Sequence, residues 1–351
     1  MTMELRSIEN LTGFAHASFT KLGADNQFCD VVVVKVDLRL ADGRLRVIPE
    51  PAEIVFADHY ANPTDPRYSV ITRAGDAVVS KPATDVLLTG HALAPEARPC
   101  TEWACELGLR TAAGERRKRL LLTGPRHWQW SAVRGFHLSE AEPVVTLPLT
   151  YDLAYGGHHP VERRSFKANP AGRGWYQTAD LDRDQRYPAP QILELDDPLR
   201  AVDEPVAVAG FGPMARWWTS RYQYAGTYDE AYRAAFDASP HSVYPADFDA
   251  RFFQCAHPDW IIDPYLRGDE TFRLAGFGPE ALVQAELPGL AIEGACVTRS
   301  GKVLVAPLPL DTVHIDLDRR TVSLVWRVTL PQSLGISMLA LRGVHVRDLE
   351  D

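Results

Sequence analysis

The 351-residue chain has no surplus of basic charge, no long apolar run and no complete catalytic motif, and each shortage narrows what it can be. Its 37 lysines and arginines are outnumbered by 46 aspartates and glutamates, for a formal net charge of −9. Neutralising phosphates requires a basic field, so a general nucleic-acid binder is not expected. No stretch reaches the ~20 apolar residues a membrane helix needs. The opening segment MTMELRSIENLTGF lacks a positive region followed by an apolar core. The expectation is a cytoplasmic protein that inserts into no membrane. Five cysteines (Cys29, Cys100, Cys105, Cys255 and Cys296) are an odd number without a CxxC pair, which fits reduced core thiols better than a disulfide framework.

Catalytic signatures are equally scarce. GxSxG, HExxH and the phosphate-binding P-loop are missing, and the lysine of SGKVLV enters a strand where a P-loop lysine would open a helix. His158 and His159 are adjacent, so on a strand they point to opposite faces and on a helix they diverge by about 100°; a shared metal ion is not expected. Cys255 and His257 form a lone C-x-H. No catalytic residue, metal or cofactor is therefore assigned. One enzymatic alternative stays open. Asp247 with Asp249, or Asp259 with Asp263, lie among Phe252, Trp217, Trp218 and Trp260 and could flank a sugar ring in a carbohydrate-active or glycan-binding protein. Acids beside prolines more often bond to nearby backbone at turns and helix starts.

What the chain does have is period-two alternation. In CDVVVVKVDLRLADGRLRV, Val32, Val34, Val36, Leu38 and Leu40 fall on one side, with Lys35, Asp37 and Arg39 on the other, and Asp42-Gly43 supplies a tight hairpin turn. GACVTRSGKVLVAPL turns at Ser300-Gly301. DTVHIDLDRRTVSLVWRVTL sets Val313, Ile315 and Leu317 against Val322, Leu324, Trp326 and Val328. In GERRKRLLL, the run Arg116, Arg117, Lys118 and Arg119 reads as the solvated end of a hairpin. The fold class is mainly β, with antiparallel sheets forming a sandwich or a partly closed barrel. Residues 1–154 form an N-terminal β region. Residues 155–274 form a loop-rich centre dense in aromatics, proline and glycine, and residues 275–351 form a C-terminal β region packed with the first as one unit.

In the centre, GTYDEAYRAAFDASP predicts a helix over about 228–238. Thr227 and Glu230 form its capping box and Pro240 closes it, while Tyr228, Ala231, Tyr232, Ala235 and Phe236 make a stripe expected to lie on a sheet. PADFDARFFQCA adds a short helical turn with Phe248 and Phe252 on one side. Gly-Phe-Gly-Pro occurs at 210–213 and again at 276–279, as aromatic-anchored turns. Trp175, Tyr176, Trp217, Trp218, Arg221, Tyr222 and Trp260 have the Trp/Tyr/Arg composition of protein-interface hot spots and are the candidate partner-binding residues.

The ordered set KPATDVLLTG, LPLTYDLAYGG, NPAGRGW, AGFGPMARWW, GTYDEAY, YPADFDARFFQCAHPD and LRGDETFRLAGFGP resembles the domain-of-unknown-function family associated with type VI secretion loci. The resemblance runs from about Ile8 to Trp326. It implies an effector chaperone or adaptor, encoded beside PAAR-type tip proteins and the VgrG spike, that binds a secreted effector or its PAAR-like domain. It brings no catalytic residues with it.

Overall fold

The computed structural model describes residues 7–159, 161–162, 164–239 and 243–349. Its mainly antiparallel strands form several sheets, none closed into a barrel. The largest runs in the order Ile261–Ile262, Thr84–Thr89, Leu310–Asp316, Thr321–Pro331, Phe28–Ala41, Ala15–Leu22, with Arg44–Val47 also on Phe28–Ala41. A second sheet runs Ile192–Glu194, Gly114–Thr123, Glu102–Thr111, Thr271–Ala275, Leu282–Glu286, and a third runs Ser7–Asn10, Ile336–His345, Leu290–Thr298, Val303–Leu308. Strands from the two ends of the chain thus share sheets. Thr84–Thr89 and Leu310–Asp316 are parallel, an exception to the antiparallel pattern.

The strand Phe28–Ala41 shows how alternation becomes a core. Val32, Val34, Val36, Leu38 and Leu40 are all buried in the main apolar cluster. The opposite face is polar only in its second half, where Lys35 pairs with Asp76 at 2.9 Å and Asp37 accepts from the Ser323 hydroxyl at 2.6 Å. In the first half Val31 and Val33 are buried too, beneath Val79, Phe253 and the partly buried Tyr244, Phe248 and Phe252. The chain between 244 and 253 therefore roofs the far side of the central sheet. The turns follow their residues: Asp42 and Gly43 take φ of 51° and 68°, both positive as a two-residue hairpin turn requires. Val313 lies opposite Leu324 and Ile315 opposite Val322.

The repeated tetrapeptide has a structural use. Phe211 and Phe277, one from each copy, pack edge to face at 5.9 Å, and Phe211 meets Trp260 at 6.2 Å. Gly276 is fixed by space as well as by its φ of 72°, because a Cβ there would come within 2.2 Å of the Ala104 carbonyl.

Charges are buried at the centre of this apolar framework. The Lys81 ammonium lies 2.8 Å from the Asp85 carboxylate and donates at 2.8 Å to Thr312 Oγ1. Asp85 also accepts from the Cys255 and Ala256 backbone N–H groups at 2.9 and 3.2 Å. Thr312 donates to Asp311, which pairs with Arg327 at 2.5 Å, and Arg327 continues to the Asp76 and Val78 carbonyls. Asp85→Ala strands an ammonium and two backbone donors away from water. It is expected to cost about 3–5 kcal/mol in denaturant unfolding, and a loss under 1 kcal/mol would show that the pair holds little.

His314 lines a cavity of about 160 Å³ between the central sheet and residues 53–76, with its Nε2 at 2.7 Å from Thr89 Oγ1. Burial pushes its imidazole down to about 4 from 6.5. The folded state thus prefers the neutral ring, so the stability it confers is complete above pH 6.5 and fades as the pH falls toward 4. The unfolding free energy should drop over that window by on the order of 2 kcal/mol more in the wild type than in His314→Asn. Superimposable pH profiles would remove His314 as the cause.

Candidate functional site

The stretch from Pro148 to Tyr176 is wound around a buried asparagine. The Asn169 side-chain amide donates to the Tyr151 and Tyr155 carbonyls at 2.8 and 3.1 Å, and the Asn169 backbone carbonyl accepts from Gly157 N–H at 2.9 Å. Gly156 brings its backbone so close that a Cβ would lie 2.1 Å from the Asn169 oxygen. Arg173 donates to the Asp152 carbonyl at 2.7 Å and to Gln191 at 3.3 Å. The paired histidines serve the same architecture. His158 Nδ1 is 3.0 Å from the Pro170 carbonyl and its ring lies 4.2 Å from Tyr68, while His159 Nδ1 accepts the backbone N–H of Glu162 at 2.9 Å.

Of the seven candidate binding residues, three lie in the interior. Trp218 and Trp260 are fully buried and Arg221 is 5% exposed. Trp218 packs edge to face on Tyr151 at 5.3 Å. The Arg221 guanidinium donates to the Phe252 and Met214 carbonyls at 3.0 Å each, tying two loops together. Trp175 and Tyr176 are half-buried in two satellite clusters, with Tyr176 donating to the Pro188 carbonyl. Trp217 and Tyr222 are on the surface, at 44% and 56% exposure.

The basic run departs from the expected solvated hairpin end at one position. Lys118 is buried while Arg116, Arg117 and Arg119 are exposed, because it shares the inward register of Leu120 and Leu122. Its ammonium lies 2.6 Å from Glu194, 2.8 Å from Asp259 and 3.2 Å from His257 Nε2. Glu194, His257 and Asp259 are among the described residues the set of metal-binding types that converges most clearly, and the lysine nitrogen stands among them as their cation. Hydrogen bonds from His257 and then Lys118 hold the Asp259 carboxyl well below the usual range. Two other acids of the sugar-cleft alternative are also engaged: Asp247 accepts from the Thr227 backbone and hydroxyl at 2.8 and 2.7 Å, and Asp249 from three Arg251 nitrogens.

The predicted helix is present as Glu230–Ala238, with two differences. Its N-cap is Asp229, whose side chain accepts from Tyr232 N–H at 2.9 Å; Thr227 is instead held by Asp247. Pro240 lies outside the described residues. More consequentially, the helix buries none of its residues, so its aromatic stripe does not lie on a sheet. Tyr228 meets Tyr232 edge to face at 4.7 Å and Phe236 lies tilted against Tyr232 at 6.2 Å, and the Tyr232 hydroxyl donates to the Val243 carbonyl at 3.1 Å. Partial burial, and then the Tyr232 and Tyr222 hydroxyls, push the Tyr228 phenol up. Tyr222, Tyr228, Phe236 and Val243 are each at least 40% exposed. The spacing at 228, 232 and 236 gave the stripe; nothing in it said that no sheet would meet it.

A family described as "Uncharacterized protein conserved in bacteria (DUF2169)" matches residues 25–327. The chain belongs to this family. Its match takes in most of the central sheet, the Asn169 hub, the buried Lys81–Asp85 pair and the aromatic helix. No curated protein and no solved structure matches the chain.

The partition between interior and surface tryptophans can be measured at two neighbouring positions. Trp218→Ala should cost about 3–5 kcal/mol of stability. Trp217→Ala should stay within about 0.5 kcal/mol of wild type. Equal costs at both would contradict the burial described.

Proposed function

We propose that this protein is a cytoplasmic adaptor of the type VI secretion system, binding an effector or its PAAR-like domain and helping to load it onto the VgrG spike. The secretion context comes from the resemblance carried by the ordered motifs, several of which build the interior described above. The observation that carries the binding role is the aromatic ladder on a helix that buries nothing. Tyr228 and Phe236 are exposed on either side of the partly buried Tyr232, and with the exposed Tyr222 they offer the residue types that dominate protein-interface hot spots. The function asked of it is association without turnover: apolar surface on the cargo is covered until the spike accepts it. The hydrogen-bonded scaffold behind the ladder keeps the ordering cost of binding low.

The test is co-expression with the effector encoded beside this chain, followed by pull-down and measurement of effector level. Tyr228→Ala and Phe236→Asp should each weaken binding by roughly 30-fold, the loss of a hot spot worth about 2 kcal/mol. The melting temperature should stay near that of wild type, because neither side chain is buried. Undiminished cargo binding by both variants would remove the ladder as the contact. An effector that accumulates and is delivered equally well without this protein would remove the adaptor role.

A further inference from the structure

The third sheet ends in a strand left open on one side. Val303–Leu308 pairs only with Leu290–Thr298 among the described residues, and 303–307 are five consecutive exposed positions. Val303 and Val305 are 57% and 58% exposed and Leu304 is 39% exposed. Open edges are ordinarily guarded by charge, proline, a bulge or a covering loop, and the one such device within this strand is Pro307 near its end. Here positions 303–310 read VLVAPLPL without a charge.

The adjoining hairpin fixes which backbone groups face outward. Thr298 N–H donates to the Lys302 carbonyl at 2.9 Å and Gly301 N–H to the Thr298 carbonyl at 2.9 Å, the three-residue turn with glycine at positive φ. Residues 298 and 302 are therefore a hydrogen-bonded pair, and the alternation of an antiparallel ladder makes Cys296–Leu304 and Gly294–Ala306 the next ones. Leu304 and Ala306 spend their backbone groups on the inner strand. Val303 and Val305 direct both N–H and C=O outward, and Pro307 offers only a carbonyl.

We propose that this edge pairs antiparallel with the same edge of a second copy of the chain, around a two-fold axis at Leu304. In that register Val303 of one copy faces Val305 of the other and the reverse. The four outward groups of Val303 and Val305 on each strand are then satisfied by four N–H···O=C bonds, and the two Leu304 side chains meet as a close, non-hydrogen-bonded pair. Shifting the axis to Val305 sets Val303 opposite Pro307, which lacks the donor that the Val303 carbonyl needs, so the proline selects the register. Lys302 then lies opposite Ala306, and no like charges meet along the ladder. The contact is isologous and closes at two copies. It is independent of the adaptor reading, since it uses neither the aromatic helix nor any cargo.

Sedimentation of the full chain should give a mass about twice the 39.0 kDa of one copy at micromolar concentrations and above. Val305→Pro removes one outward donor and no bond to the inner strand, so it should yield a monomer with an unchanged far-UV spectrum. Leu304→Lys and Leu304→Glu each place like charges at the axis and should be monomeric alone, while an equimolar mixture should recover the doubled mass. A wild type that stays monomeric throughout, a Val305→Pro variant that remains dimeric, or Leu304 charge variants that dimerise alone would each overturn the proposal.

Discussion

Asp85 carries its charge where water does not reach, and segments far apart in the chain converge on its two oxygens. Lys81 approaches from four residues earlier, and the backbone N–H groups of Cys255 and Ala256 from the opposite side of the sequence. A carboxylate in that position is tolerable only with every such donor in place. Its burial therefore dictates that the 253–256 segment crosses the end of the Thr84–Thr89 strand. Other links follow from that crossing. Gln254 donates to the Ala83 carbonyl, and Met214 N–H donates to the Cys255 carbonyl at 2.7 Å. Arg221 then joins Met214 to Phe252. On the other side, Lys81 leads through Thr312 and Asp311 to Arg327 and the 76–78 loop. Apolar burial drives the collapse without direction; these bonds say which loop lies over which strand.

This division between non-directional and directional forces sets what could be read from the sequence. The strands Phe28–Ala41, Leu310–Asp316 and Thr321–Pro331 of the central sheet were legible because alternation is a local pattern, and so were the Asp42-Gly43 and Ser300-Gly301 turns, because positive φ is a local demand. The parallel pairing of Thr84–Thr89 with Leu310–Asp316 was not, since the two are separated by most of the chain and nothing within either names the other. Val31 and Val33 illustrate the same limit. Their side of the strand continues as Lys35, Asp37 and Arg39, so alternation alone marked it as the wet face, yet half of it is roofed by Phe253 and its neighbours.

The aromatic centre was legible as composition and illegible as geometry. Trp217 and Trp218 are adjacent and of one type, yet one is 44% exposed and the other fully buried, because the backbone turns there into the short helix Thr219–Tyr222. Lys118 was hidden among arginines, although its place in step with Leu120 and Leu122 held the clue. A long cation on the inward register of a strand must find anions, and Glu194 and Asp259 supply them. The motifs that carry the family resemblance fall largely on such interior contacts, which explains why a recognisable order of motifs names an architecture more directly than a binding surface.

The aromatic helix follows a different logic. At nine residues it is shorter than an isolated helix normally needs to persist in water. Four local devices hold it: the Asp229 cap, the Asp247 carboxylate gripping Thr227 just ahead of it, the Tyr232 hydroxyl bonded to the Val243 carbonyl, and ring contacts at i, i+4 spacing along Tyr228, Tyr232 and Phe236. All are at the surface, and none replaces the apolar packing from which helices in folded proteins draw most of their stability. The element is therefore formed and positioned but lacks the partner layer that its stripe is patterned to meet. Under the proposed adaptor role, a protein surface laid across that stripe would supply the missing layer, and binding would gain the burial that folding left undone.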